Sequence, residues 1–336
     1  MPYRDYVKAQ SLQNPSLLIL HQFLSNPGSR HGGCTIIAMD FREGMDHPIT
    51  RPALATVDLS SELWERLFWM THDKEDDHNL NHPLQGRILI IEDLTSGVIE
   101  ILGSELAIDP LFFALHLHTA QKNGMQSQTP CEGTLPSRLL SQDYINISYH
   151  RTITSKEIDD SRRRLLRDTI IDRKLVFLPS TTVGLAQHCA SVIQIKQESG
   201  RWIGKHALKL TCLLFRLTNL ALILVDPPIS NTYILDDWKN GGRRKVQLQS
   251  QPFLGEYEDF LDPPPFSKDL EYSEVPPRNG MSQDLVQYWK RRIPACFDAR
   301  NPSLESLAYY PLRIVAAEWV KYAAAMHYCL IEYEYG

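Results

Sequence analysis

Apolar residues recur along this chain with two different spacings, and the change from one to the other marks out its elements. Residues 34–39 (CTIIAM) form a short apolar run rich in β-branched side chains and bounded by Gly32 and Gly33, the pattern of a buried strand. Residues 87–91, 144–149, 188–195 and 220–225 repeat that pattern, and Asp226-Pro227-Pro228 ends the last. Between 87 and 119 the order predicts two short strands around a Thr-Ser-Gly turn and a segment opened by Gly103. An Asp109-Pro110 restart then leads into a helix carrying Phe112, Phe113, His116 and His118. Asp109 suits the capping position there, because its carboxylate accepts from amides that have no helical partner and proline is tolerated in the first turn.

Three- and four-residue spacings predict helices elsewhere. Residues 60–70 place Leu63, Trp64, Leu67 and Phe68 on one side behind a serine cap, and 155–167 read as a charged surface helix. Residues 282–292 and 303–333 return to helical spacing, the latter interrupted near Pro311. In it Leu312, Val315, Ala316, Trp319, Val320 and Ala323 form an apolar stripe that needs a partner surface. Residues 240–280 are dense in Pro, Gly and charge, which neither a helix nor a central strand accepts, so they read as a long loop or linker. The resulting plan is a mixed α/β domain over 1–235, a linker over 236–281 and a helical segment over 282–336 packing on the domain. Strands and helices mix without strict alternation, which favours an α/β or α+β fold with a mixed β-sheet between helical layers and a long C-terminal helix.

Composition narrows function more than fold. The 336 residues are 43% hydrophobic and 22% charged, enough to bury a sizeable core, and the formal net charge of -5 offers no long-range attraction for nucleic acid. The cysteines at 34, 131, 189, 212, 296 and 329 never form a Cys-x-x-Cys pair, which argues against a zinc ribbon or a redox motif. Arg4, Asp5 and Lys8 stand where a signal peptide would carry its apolar core, so the expected location is cytoplasmic. Residues 206–225 have about the length of a membrane span, but Lys209 and Arg216 lie inside it, each costing roughly 2.5 to 3.5 kcal/mol near the bilayer centre. Two readings of that stretch stand side by side: a buried helix, or an insertion over 205–219 such as a translated intron.

Candidate chemistry is sparse. No nucleotide-binding glycine loop, Gly-x-Ser-x-Gly elbow or His-Glu-x-x-His pair occurs. His72, Asp76, Asp77, His78 and His82 gather imidazoles and carboxylates within eleven residues, the donor types that hold zinc, manganese or iron, in a stretch whose polar composition also suits a solvated loop. Asp226 ends an apolar strand, where ligands of open α/β sheets collect, and Asp236 and Asp237 follow closely. The three carboxylates together suit Mg²⁺. His116 and His118 point about 200° apart on a helix and cannot jointly grip one ion. His188 and Cys189, as strand neighbours, face opposite sides and cannot form a nucleophile and base pair.

Three stretches carry a resemblance: residues 87–118 with their "LG..L.IDP.FFA.H" order, residues 144–228, and PLRIVAAEWVKYAAAMHYCLIEYE over 311–334. Together they cover about half the chain and are similar to the soluble domain of fungal CorA-like magnesium transporters. The resemblance implies a mixed sheet between helical layers, a long helix leading toward membrane spans, and a pentamer. The family's Gly-Met-Asn pore motif is absent, since Gly280-Met281-Ser282 matches it by two letters only, and no membrane span is read in this chain. The expected function is therefore a non-enzymatic regulatory or interaction protein, or a truncated transporter relative, forming homo-oligomers through the C-terminal helix. Two alternatives stand beside it: the cytoplasmic part of a divalent-cation transporter that needs further membrane sequence, and a metal-dependent enzyme of small-molecule metabolism using residues 72–82.

Overall fold

Helices cover both faces of one mixed sheet. A computed structural model describes residues 1–25, 33–51, 53–56, 82–118, 142–156, 164–167, 170–179, 181–195, 220–229, 232–237, 242–250 and 278–335. Within them the strands are β1 (Cys34–Arg42), β2 (Ile49–Thr50), β3 (Leu54–Thr56), β4 (Leu84–Glu92), β5 (Tyr144–Ser155), β6 (Arg164–Arg167), β7 (Arg173–Phe177), β8 (Val183–Ile195), β9 (Leu220–Val225), β10 (Thr232–Asp237) and β11 (Gly242–Ser250). The helices are α1 (Tyr3–Ser11), α2 (Leu18–Ser25), α3 (Ser96–Leu106), α4 (Pro110–Leu117), α5 (Met281–Arg291) and α6 (Leu304–Tyr335).

The strands pair in the order β2-β1-β4-β9-β8-β5-β11-β10-β6-β7, with β3 also on β1 and β7 returning to β8. Among the described residues only β4 and β9 run parallel, and every other pairing is antiparallel. Alternation along the strands then sorts the core. Ile36, Ala38, Leu89, Ile91, Leu222 and Leu224 meet α1 to α4, including Phe112 and Phe113. On the opposite face Met39, Ile88, Ile90, Val192 and Ile223 meet Leu285, Trp289, Leu307 and Ile314 of α5 and α6. The pairings β8-β5-β11-β10-β6-β7-β8 close on themselves, and Ile153, Leu175, Phe177, Leu235, Val246 and Leu248 pack together there as a third core.

Asp109 caps α4 as expected, its Oδ1 accepting from the Leu111 amide at 2.9 Å, with Pro110 in the first turn. Other elements depart from the sequence expectation. The second strand of the expected hairpin is the helix α3: Thr95 caps it through the Val98 amide at 3.2 Å, and Val98, Ile99 and Leu102 share one buried side at helical spacing. Residues 164–167, expected to close a surface helix, are strand β6, because they find open edges on both β10 and β7. Residues 242–250, expected within a linker, are β11, where alternating Val246 and Leu248 turn inward while Gln247 between them and Arg243, Arg244 and Lys245 before them are exposed. Nor does Pro311 interrupt α6. Its missing amide costs the helix roughly 3 kcal/mol, which burial of Leu307, Ala308, Tyr310, Ile314 and Val315 on the sheet offsets. The segments at 60–70 and 205–219 lie outside the described residues.

Candidate functional site

One edge of β8 has two successive neighbours. Residues 190–195 pair with β9, residues 184–186 pair with β7, and positions 187–189 lie between them. Asp226, the first residue after β9, fills that gap. Its Oδ2 accepts from the Cys189 amide at 2.7 Å, so a carboxylate takes the place of the carbonyl that β9 no longer supplies. Arg173 at the start of β7 donates to the same carboxylate through Nε at 2.7 Å and Nη2 at 2.6 Å. Nη2 also reaches the His116 carbonyl at 2.9 Å, which ties α4 into the junction.

Three titratable side chains surround the pair. His116 is fully buried, its Nδ1 2.8 Å from Ser191 Oγ and its Nε2 3.9 Å from Asp226 Oδ1. His188 lies on the other face, its Nδ1 3.8 Å from Asp226 Oδ2 and its ring beside Tyr149. Asp93 follows β4 in the left-handed region at φ 60, which a short polar side chain tolerates, and its amide extends the parallel ladder to the Val225 carbonyl at 3.2 Å. Beside it Glu92 accepts from Ser282 Oγ of α5.

The electrostatics follow from burial and from one guanidinium. Burial opposes charge on Asp226, yet Arg173 holds its carboxyl below the usual aspartate range. Burial pushes both histidines down to about 3, so they are neutral at pH 7. Asp93 rises to about 7, first by burial and then by repulsion from Asp226 and Glu92. The Cys189 thiol is pushed up to about 11, again mainly by burial, and is no thiolate at neutrality.

The sequence candidates are therefore redistributed. Asp226 is buried, but its oxygens serve Arg173 and Cys189. Asp236 and Asp237 stand at the end of β10, opposite Arg243 and Gly242. His82 is exposed, and its carbonyl accepts from Arg42 Nη1 at 3.0 Å. His72, Asp76, Asp77 and His78 lie outside the described residues. Among the described residues, no group of three His, Cys, Asp or Glu side chains is arranged to hold a metal ion. Arg173 and Asp93 were missed in the sequence. Arg173 opens RKLVF, a five-residue strand too short to announce itself, and Asp93 was absorbed into the expected hairpin turn.

This chain matches no protein-family model, no curated protein and no solved structure.

What the cluster does chemically is join elements. A carboxylate saturated by a guanidinium and an amide is neither a free base nor an open ligand, and neutral histidines enclosed beside it complete a polar seam through the core. Removing one partner leaves a buried charge unpaired, so Asp226→Ala should cost about 3–5 kcal/mol in urea unfolding. Arg173→Met combined with Asp226→Leu should cost less than either single change. The histidines set a pH dependence. Because their folded pKa lies below the unfolded value near 6.5, their contribution is intact above that pH and is lost as pH falls toward about 3. Asp93 acts in the opposite sense between the ordinary aspartate range and about 7. His188→Gln should therefore flatten the acid loss of stability by up to about 1.4 kcal/mol per pH unit, measured as unfolding free energy across a pH series.

Proposed function

We propose that this protein is a non-catalytic interaction module, built like the soluble domain of CorA-like magnesium transporters, that assembles with copies of itself through the outward face of α6. The observation that carries this reading is a stripe left uncovered on that helix. Ile314, Val315 and Glu318 turn toward the sheet, whereas Leu312, Trp319, Val320, Tyr328, Leu330 and Ile331 are exposed. Trp319 is 49% exposed and Val320 70%, a large apolar cost for a face that meets only water. Leu312, Ala316, Trp319, Ala323, Met326 and Leu330 alternate by four and three residues, the spacing that a second helix reads as a continuous seam.

The same helix supports a second reading, in which the chain is the cytoplasmic part of a divalent-cation transporter and α6 leads toward further sequence. No helix among the described residues is long and apolar enough to cross a membrane. In both readings the working surface is the distal half of α6, the setting is cytoplasmic, and the Asp226 cluster is structural.

Light scattering coupled to size exclusion, with and without Mg²⁺, tests the self-association. The expected mass is a multiple of 38.5 kDa that Trp319→Glu with Leu330→Glu reduces to the monomer without loss of helix content. A wild-type mass of one chain at every concentration tested would overturn it.

A further inference from the structure

The terminal helix leaves the sheet at a buried ion-pair network on the α5 and α6 face. Glu318 of α6 is buried at 2% exposure, and residues 319–331 beyond it are exposed or half-buried. Its Oε1 accepts from Nε of Arg151 on β5 at 3.1 Å. Arg151 also donates through Nη1 to the Asn279 carbonyl ahead of α5, at 3.2 Å. Its Nη2 lies 3.1 Å from Glu318 Oε1 without an aligned hydrogen bond.

Across the network stands Asp284 of α5, fully buried. Its Oδ1 accepts from Arg278 Nε at 3.0 Å, and its Oδ2 has no hydrogen-bond partner. One guanidinium thus has a donor to spare and one carboxyl an acceptor to spare, in the same enclosed cluster.

We propose that Arg151 is a two-position latch: it holds Glu318 of α6 while Asp284 is protonated, and moves toward Asp284 when that carboxyl loses its proton to solvent, freeing the distal half of α6. Arg151 is the strongest influence drawing Asp284 toward its charged form, so the two already interact across the cluster. Burial outweighs that attraction and lifts Asp284 to about 7, which puts the exchange near neutrality.

The other groups facing the latch do not mask it. Arg278 stays with Asp284 through the hydrogen bond above. From α6, Lys321 Nζ is 3.8 Å from Glu318 Oε1 and supplies a substitute cation when Arg151 departs. From β5, burial raises the Tyr149 hydroxyl far above neutrality, and from β8, His188 is neutral. Asp226 beyond them is committed to Arg173. Two further groups face these helices: His150 of β5, whose ring lies beside Tyr322 of α6 and whose pKa burial lowers, and Glu92 of β4, which accepts from Ser282 of α5 and whose pKa burial raises. Asp284→Asn leaves both in place, so the comparison with wild type isolates Asp284.

This latch regulates the helix surface proposed above and rests on that reading for its purpose, but it is measured separately. Amide hydrogen exchange of the full chain is followed over residues 319–331 at two pH values on either side of neutrality, after correction for the intrinsic pH dependence of exchange. In the wild type, protection of this segment falls by about tenfold over the interval, one pKa unit being a tenfold change in equilibrium. Asp284→Asn removes the fall, and Glu318→Gln gives low protection at both pH values. Equal pH responses in wild type and Asp284→Asn overturn the latch. If Asp284→Asn fails to fold, a wild-type pH response in Glu318→Gln overturns it equally. The two proposals fail separately: a wild-type chain that is monomeric yet keeps the pH response contradicts self-association and leaves the latch standing, whereas a wild-type oligomer whose pH response equals that of Asp284→Asn contradicts the latch alone.

Discussion

Asp226 and Arg173 meet where the edge of β8 changes neighbours, and the two halves of the sheet are joined through that contact. Above it, β9 brings in the parallel pair with β4 and both helical layers; below it, β7 closes the circuit of strands around the third core. A sheet edge interrupted in the interior would leave the Cys189 amide without an acceptor, a cost of about 1–3 kcal/mol. A carboxylate bonded to that amide supplies the acceptor, and the arginine at the head of the incoming strand neutralises the carboxylate. The same guanidinium holds the end of α4 through the His116 carbonyl, so one ion pair fixes the positions of β7, β8, β9 and α4.

A second ion pair governs the far side. Arg151 and Glu318 fix α6 where it crosses β5, and the helix divides there into an anchored half and an outward half. The anchored half is fully explained by the core it covers. The outward half retains an apolar stripe at a spacing suited to a second helix.

Much of the architecture was legible in the sequence, and the misses share a cause. Residues 34–39 and 220–225 announced themselves because a buried strand needs an unbroken apolar run, and Asp109-Pro110 because capping is a local interaction. The strand β11 was concealed by its exposed, charged start: Arg243, Arg244 and Lys245 read as linker until Val246 and Leu248 are seen turning into a core built from distant segments. The helix α3 was concealed by its β-branched Val98 and Ile99, whose propensity for strands loses to a capped start and a buried side. Asp226 was legible as special from its place at a strand end, yet its partner was not. Arg173 lies 53 residues away, and no spacing rule connects them. The carboxylate expected to serve a cation serves an arginine instead.

The ionisation of Asp226 is where this account stands or falls. Carbon-13 carboxyl NMR of the folded protein through an acid titration is predicted to show Asp226 remaining a carboxylate below the pH at which an ordinary aspartate protonates, unmoved by added Mg²⁺, while Asp93 titrates near neutrality. An Asp226 signal that protonates in the ordinary range or above it, or that shifts on binding the cation, would contradict the assignment of this carboxylate to Arg173.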